Sequence, residues 1–577
     1  MSRFPTLPFS DFQALIEFGL RLSDQGLVEK SWHWQQFNPG LPLILSVLFR
    51  FLPGEPVSVA RTATAVVTGL LPLLPFLLWR GVVSFRWRMA AGLLLALWPG
   101  QIFFSGVVAQ DNWVLLPTIA LAALAARNLL MPDDRGHPIA AGLLFALAIA
   151  IRQEMLIVLL PVVVVASGAL RRVTGRRKRV SLLALAAGLP ILALCAQRAA
   201  ATGHLTITTE HGGLGLLGSA VPGAAMAGWT NPSLYVISID PDLVTNSERL
   251  RKESYRLAWS ELKRRYRFHA FRIGVAALRL VINSDADDLF WSLGAKEALD
   301  PALRERGAVL AQRLSPWLRR ELALIQGLFL AALIVGFRRK NRAILVVAAA
   351  VLLKFAIQAL ISPMGRLIVP AVALELLAIS LAAAEIEARS SRRELVGLGA
   401  LAFSGSIVLL LAVPPLSRLL ARKDEPPPVV TRFPLAIAGE GWTSCRIDSG
   451  ILAAFEASRA TIAIRNPDPS PGDFARAVCS IPRLTAGETI VLRLEDSYER
   501  GGLPDRIVER VEMQGREVFR HDIAKDPGAG WMEIPLPMPG GDAAREVSIE
   551  VLAVSPDPGW EWGRVAAASF EFVRRAP

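Results

Sequence analysis

Ten apolar runs, separated by short loops rich in arginine, constrain this chain more than any other feature. They lie at 57–79, 89–106, 113–131, 138–151, 154–170, 181–199, 320–337, 343–361, 367–385 and 395–414. A helix needs about 20 apolar residues to cross a bilayer, and most of the runs meet that length alone. The short pair 138–151 and 154–170 shares the connector Arg152-Gln153-Glu154. It reads as a helical hairpin whose turn lies below the membrane surface, shielded by protein. A mean hydropathy of +0.41 excludes an ordinary soluble multidomain protein and a disordered or fibrous chain.

The net charge of +13 has to be located before it is interpreted. Residues 424–577 carry 17 basic and 24 acidic side chains, a balance of −7, whereas residues 1–423 carry 46 and 26, a balance of +20. The positive charge therefore belongs to the apolar part, which removes nucleic acid as a partner and gives the positive-inside pattern of a polytopic membrane protein. Arg80, Arg86 and Arg88, the cluster Arg171 to Arg179, Arg338 to Arg342, and Arg389 to Arg393 mark cytoplasmic connections. Alternation then puts residues 1–56, Asp111, Arg152–Glu154, the loop 200–319, Ser362–Arg366 and everything after 415 on the outer face of the cytoplasmic membrane. The apolar stretch 41–51 is too short to span and suits an interfacial or re-entrant helix. Nothing before residue 57 would export an outer N-terminus, so a first transmembrane helix upstream of Met1 is expected.

The expected organisation is an outer-face loop with amphipathic or re-entrant helices (1–56), six spans (57–199), a long outer loop with an amphipathic helix (200–319), four spans (320–414), a linker (415–428) and a periplasmic domain (429–577). In that last domain ATIAIRN, ETIVLRLED, RIVERVEM, VSIEVLAV and ASFEFVRR alternate between turn clusters, the signature of an all-β sandwich, jelly-roll-like. Cys445 and Cys479 both fall in it and read either as a disulfide of an oxidising compartment or as two buried thiols. Cys195, inside an apolar run, reads as packing. No Walker motif, dinucleotide fingerprint or Cys/His cluster at zinc spacing occurs.

Charged residues at embedded or outer positions are the informative ones, because each needs compensation. Asp11 heads the amphipathic stretch DFQALIEFGLRLSDQG, where Ser10-Asp11 also makes an ordinary helix cap. Asp111 opens the run NWVLLPTIALAALAA, a place the helix dipole favours for an acid. Arg152 and Glu154 sit between two short apolar runs and either pair with each other or face a hydrated cavity. Arg366 is a lone outer cation that either snorkels or holds an anion such as a lipid phosphate. Glu210 and His211 open a loop rich in glycine and small polar residues, of a kind that covers active sites. Asp285, Asp287 and Asp288 lack metal-loop spacing and read as solvated.

The ordered series formed by Asp11 with its helix, FNPGLPLILSVLFRFL, SVARTATAVVTGLL, ALWPGQIFFSGVVAQDNW, AGLLFALAIAIRQEMLIVLLP, TGHLTITTEHGGLGLLGSAVPG and GRLIVPAVALELLAI resembles the GT-C superfamily of polytopic membrane glycosyltransferases. The nearest group is the protein mannosyltransferase and aminoarabinose transferase branch, matched over 1–414. The resemblance implies a GT-C-like helical membrane fold. It also implies transfer of a sugar from a polyprenyl-phosphate donor to a glycan, lipid or protein hydroxyl outside the cytoplasmic membrane. It implies Asp11 as catalytic base, Asp111 at the acceptor or metal site, and Arg366, then Arg152, as donor-phosphate ligands, with Glu154 supporting them. Glu210 and His211 are further candidates there. At Phe37-Asn38-Pro39 the sequence departs from the family, many of whose members carry an acidic residue, Lys or His before this proline. His33 is the nearest substitute, so a divalent metal stays open without a defined ligand set. The competing class is a lipid-linked glycan flippase, for which repeat symmetry and more mid-span charge are expected.

Overall fold

In the computed structural model the chain forms a helical part and a C-terminal β part. The structure describes residues 10–28, 33–98, 101–102, 105–131, 136–168, 176–207, 209, 211–221, 232–282, 301–361, 369–389 and 392–411 of the first. Of the second it describes 429–438, 441–456, 458–464, 472–482, 489–497, 507–522, 531–536, 545–553 and 567–575. Two compact units result, one of residues 1–219, 225–229 and 262–422, the other of 220–224, 230–261 and 423–577.

The helical unit begins with α1, Ser10–Gln25. Phe12, Leu15, Ile16, Phe18 and Leu22 are buried, a helical spacing that puts one apolar stripe inward. The stripe packs on α2, Gly40–Phe51. At Gly19 the two backbones come close, since an added Cβ would stand 2.9 Å from the Leu45 Cβ. From α2 the chain turns through 115° into α3, Pro56–Leu70. Glu55 caps the new helix, accepting from the backbone N–H of Val57 at 3.0 Å and of Ser58 at 2.7 Å, and Pro56 supplies a first helical residue that needs no donor. The stretch 41–51, expected to be interfacial or re-entrant, is thus one arm of a sharply bent helix pair.

Next come α4 (Gln110–Leu130), α5 (Pro138–Ile151), α6 (Arg176–Thr202), α7 (Tyr266–Ile282), α8 (Pro301–Arg339), α9 (Arg342–Ile361), α10 (Val369–Arg389) and α11 (Arg392–Leu411). Five helices among the described residues are long and apolar enough to cross a membrane: α4, α6, residues 312–339 of α8, α9, and 369–388 of α10. The chain is a polytopic α-helical membrane protein with a C-terminal β domain. Several other apolar runs fold as shorter or broken pieces, while run 395–414 lies, as far as residue 411, on the continuous α11. Run 57–79 is α3 plus Leu73–Leu78, interrupted at Pro72, and run 154–170 is Met155–Val158 plus Leu160–Ala166, interrupted beside Pro161. On α6, Leu185, Leu189 and Leu192 are exposed, an apolar face for lipid.

Small residues set the close crossings, as membrane helix packing requires. An added Cβ at Gly142 would meet the Ala186 Cβ at 2.7 Å, so α5 lies directly on α6. At Gly327 it would stand 2.4 Å from both the Ala402 carbonyl oxygen and the Ser406 Oγ, and that Oγ donates back to the Ala323 carbonyl at 2.9 Å. Gly327→Val is therefore expected to destabilise the α8–α11 contact by about 1–3 kcal/mol through overpacking, read as a lower melting temperature in detergent.

The β unit holds strands β1 Arg432–Ala438, β2 Trp442–Ser449, β3 Ile451–Glu456, β4 Arg459–Ala463, β5 Phe474–Ile481, β6 Thr489–Ser497, β7 Ile507–Met513, β8 Arg516–Asp522, β9 Met532–Pro535, β10 Arg545–Ala553 and β11 Ala567–Arg575. One sheet runs β1-β2-β5-β10-β7-β8. The other runs β3-β4-β11-β6-β9 and is joined to the first by a short parallel pairing of β1 with β11. Buried side chains of both sheets, among them Phe433, Phe455, Leu492, Val547 and Phe570, form one core, so the sheets face each other as a sandwich. Gln514 and Gly515, at φ of 52° and 75°, make the two-residue turn between β7 and β8. The helices Ser233–Ile239 and Ser247–Arg264 group with this unit, and Ile237 enters its core. The loop 200–319 is thus shared between the units. Its amphipathic stretch is two helices parted at Arg265, of which only α7 belongs to the helical unit.

Cys445 and Cys479 are direct cross-strand partners on β2 and β5 and are joined by a disulfide. It closes a separation of 34 residues, so the reduced sandwich has more chain entropy to lose on folding. Replacing both cysteines by alanine is expected to cost about 2–4 kcal/mol, checked by melting the β unit of the full chain with and without reductant. Cys195 is free and buried.

Candidate functional site

The site is built on the first turn of α4. Its orientation is set by two polar bonds to α3: Asn112 Nδ2 donates to Thr68 Oγ1 at 3.3 Å, and Trp113 Nε1 to Thr64 Oγ1 at 3.2 Å. Gln110 Nε2 adds a bond to the Asn38 carbonyl at 3.3 Å. Asp111, the second residue of α4, is thereby held in place and is buried.

The hairpin turn supplies the opposing charge. At Arg152 the backbone leaves α5 in an extended conformation, which frees the side chain from the helix surface. Its Nη2 donates to Asp111 Oδ1 at 2.5 Å, and its Nη1 lies 3.5 Å from Glu154 Oε1. Glu154 in turn accepts from Lys354 Nζ at 3.0 Å. Lys354, in the middle of α9, is fully buried. Four side chains from α4, the hairpin turn and α9 therefore form a continuous array of alternating sign with no net charge. Removing four charges from water costs several kcal/mol each, and Coulomb attraction recovers this only when every charge has a close opposite. Here every one does. Beside them Gln153 fixes the loop opening: its Oε1 accepts from the Thr209 N–H at 2.8 Å, and its Nε2 donates to Thr209 Oγ1 at 3.4 Å.

A second polar anchor lies on α6. Arg198 donates to the carbonyls of Phe37 at 3.1 Å and Ile207 at 3.0 Å, tying the Phe37-Asn38-Pro39 segment to the start of the outer loop. Pro39, Ile149, Ala150, Ile191, Leu194 and Ile207, together with Arg198 itself, line a small, mostly apolar groove there.

The other expected site residues are distributed as follows. Asp11 is the second residue of α1, and its side chain lies outside the described residues. His33 is buried, stacks on Phe18 at 5.4 Å between ring centroids, and has Nε2 3.9 Å from Glu17 Oε2. It is thus built into the packing of α1. Glu210 and Arg366 lie outside the described residues, as does the side chain of His211, which opens the helix His211–Ala220. Among the described residues no three His, Cys, Asp or Glu side chains converge as metal ligands.

The structure unites Asp111, Arg152 and Glu154, and adds Lys354, which the sequence reading passed over. A lone lysine inside the apolar run 343–361 was the available signal, since an embedded cation needs a partner. Glu375, buried in α10, accepts from Gln326 Nε2 at 2.9 Å and escaped notice in the same way.

No protein-family model matches the chain, and no curated protein matches it. Among solved structures it is similar to the crystal structure of the Archaeoglobus fulgidus oligosaccharyltransferase in complex with Zn and sulfate, at 16% identity and a TM-score of 0.30. The alignment covers 68% of this chain and 45% of that one, so the chain spans less than half the length of that protein.

Proposed function

We propose that this chain is a membrane glycosyltransferase of GT-C type. In this account it moves a sugar from a polyprenyl-phosphate donor to a hydroxyl of a glycan, lipid or protein on the outer face of the cytoplasmic membrane, with inversion. The observation that carries the proposal is the array of alternating charge Asp111–Arg152–Glu154–Lys354, set in an apolar helical unit with its ends Asp111 and Lys354 buried. Embedded ionisable groups raise no stability that well-packed leucines would not, so their presence points to function. The ordered outer-face series read from the sequence supplies the reaction class.

Direct displacement at the anomeric carbon needs a base on the acceptor hydroxyl and a cation on the leaving phosphate. Asp11, at the head of α1, is assigned the base. Asp111 orients the acceptor, its carboxylate held in place by Arg152. Arg152 is already shared between two carboxylates, so donor phosphate binding falls first to Arg366, and Arg152 serves it only by loosening one of these pairs. One base and one cationic clamp suffice, and no covalent intermediate is required. The disulfide of the β unit suits an oxidising, extracytoplasmic location, where the sandwich would hold an extended acceptor glycan. The test replaces Asp11 and Asp111 separately by Asn in the native cell and profiles its surface glycan. Loss of a sugar from that glycan in either variant supports the proposal, and normal glycan with both variants stably expressed defeats it.

A further inference from the structure

The buried face of α7 carries a cation that the transfer reaction does not use. Arg272 is fully buried. Its Nη2 donates to the Leu360 carbonyl at 3.2 Å, while its Nε and Nη1 have no acceptor among the described residues. No carboxylate among those residues pairs with it. The carbonyl it bonds, in the last turn of α9, is shared with Ser219 Oγ at 2.7 Å. Burial pushes the guanidinium down to about 10 with nothing opposing the shift. This contrasts with Lys354, which has Glu154, and with Arg152, which has two carboxylates.

A guanidinium does not lose its proton under ordinary conditions, so the charge remains, and among the described residues it has no counter-anion. A carbonyl dipole does not neutralise it, and the N–H donors on Nε and Nη1 are left without an acceptor among the described residues. The anion must bring full negative charge and more than one acceptor oxygen, which a phosphate does with three. His269, one turn earlier on α7 and also buried, extends the same face.

We infer that Arg272 is the anchor of an anion site between α7, the C-terminal turn of α9 and the helix His211–Ala220, and that it takes a phosphate group. The site is distinct from the Asp111 array and does not depend on glycosyl transfer.

The test uses the full chain in dodecyl maltoside micelles, free of phospholipid, titrated separately with inorganic phosphate and with undecaprenyl phosphate, without sugar donor or acceptor. Melting temperature and native mass spectrometry report binding. The wild type is expected to be stabilised by at least one probe, with Arg272→Met at least tenfold weaker and Arg272→Lys intermediate. Stabilisation by undecaprenyl phosphate alone identifies a lipid headgroup, and stabilisation by inorganic phosphate as well identifies the phosphate itself as the ligand. If neither probe shifts the wild type, or if Arg272→Met binds as the wild type does, the inference is overturned. Should Arg272→Met fail to fold, the wild-type titration and Arg272→Lys decide. Because no turnover is measured, an inactive transferase leaves the result intact.

Discussion

Lys354→Met is expected to destabilise the helical unit by about 3–5 kcal/mol, the largest stability effect of any single change proposed for this chain. Methionine matches the volume and shape of the lysine stem, so packing changes little. What changes is charge. Without the ammonium, Glu154 keeps, among the described residues, only Arg152 at 3.5 Å, and that guanidinium is already committed to Asp111 at 2.5 Å. The array then carries one uncompensated negative charge in a medium that solvates it poorly. Glu154→Gln is expected to leave the opposite imbalance at similar cost. The double variant restores neutrality, so its loss should fall short of the sum of the singles by roughly 0.5–3 kcal/mol. Melting all four proteins in one detergent gives the cycle. Additive losses, or a single variant that melts with the wild type, would show that Lys354 and Glu154 are not coupled.

The second large effect concerns rate. Asp11→Asn removes the proposed base and keeps the size of the side chain, giving up only the favourable charge of an acid in the first turn of α1. Stability should therefore move by a few tenths of a kcal/mol, while turnover should fall by about 10²–10⁴, the usual worth of a positioned general base. Asp11→Ala removes the same charge together with the rest of the carboxamide-sized side chain, so it should lose the rate equally while stability again moves by about 0.3–1 kcal/mol. If both variants lose stability and neither loses rate, Asp11 only stabilises the N-terminal turn of α1.

Much of this molecule is legible in its sequence, and the boundary is physical. Apolar runs and alternating strands are local patterns, so α4, α6, α9 and α10 stand close to their expected limits, and ATIAIRN, ETIVLRLED and RIVERVEM are β4, β6 and β7. Breaks are less legible: 57–79 and 154–170 read as single runs although Pro72 and Pro161 interrupt them, and Pro117 and Pro190 sit inside unbroken helices. Pairing between distant residues is not legible. Arg152 and Glu154 read as partners because they are two residues apart. Nothing local tells that Arg152 bonds Asp111, 41 positions away, or that Glu154 bonds Lys354, 200 positions away. Helical phase also leaves open which arginine of α7 turns inward: Arg267 is exposed and Arg272 is buried, although both sit in the same mixed charged and apolar stretch. The grouping of 230–261 with the sandwich is of this kind as well, since its helices show no β periodicity that would assign them there.

The most direct measurement of the central claim is transfer itself. The wild-type chain is reconstituted in liposomes with radiolabelled undecaprenyl-phosphate sugars extracted from the source cells, together with their surface glycan as acceptor, and the product linkage is analysed. Consumption of the lipid-linked donor with a new glycoside of inverted anomeric configuration, lost on Asp11→Asn, is the predicted result. Donor that crosses the bilayer intact, or stays untouched by folded protein, would contradict it and leave a transporter of lipid-linked sugars as the better account.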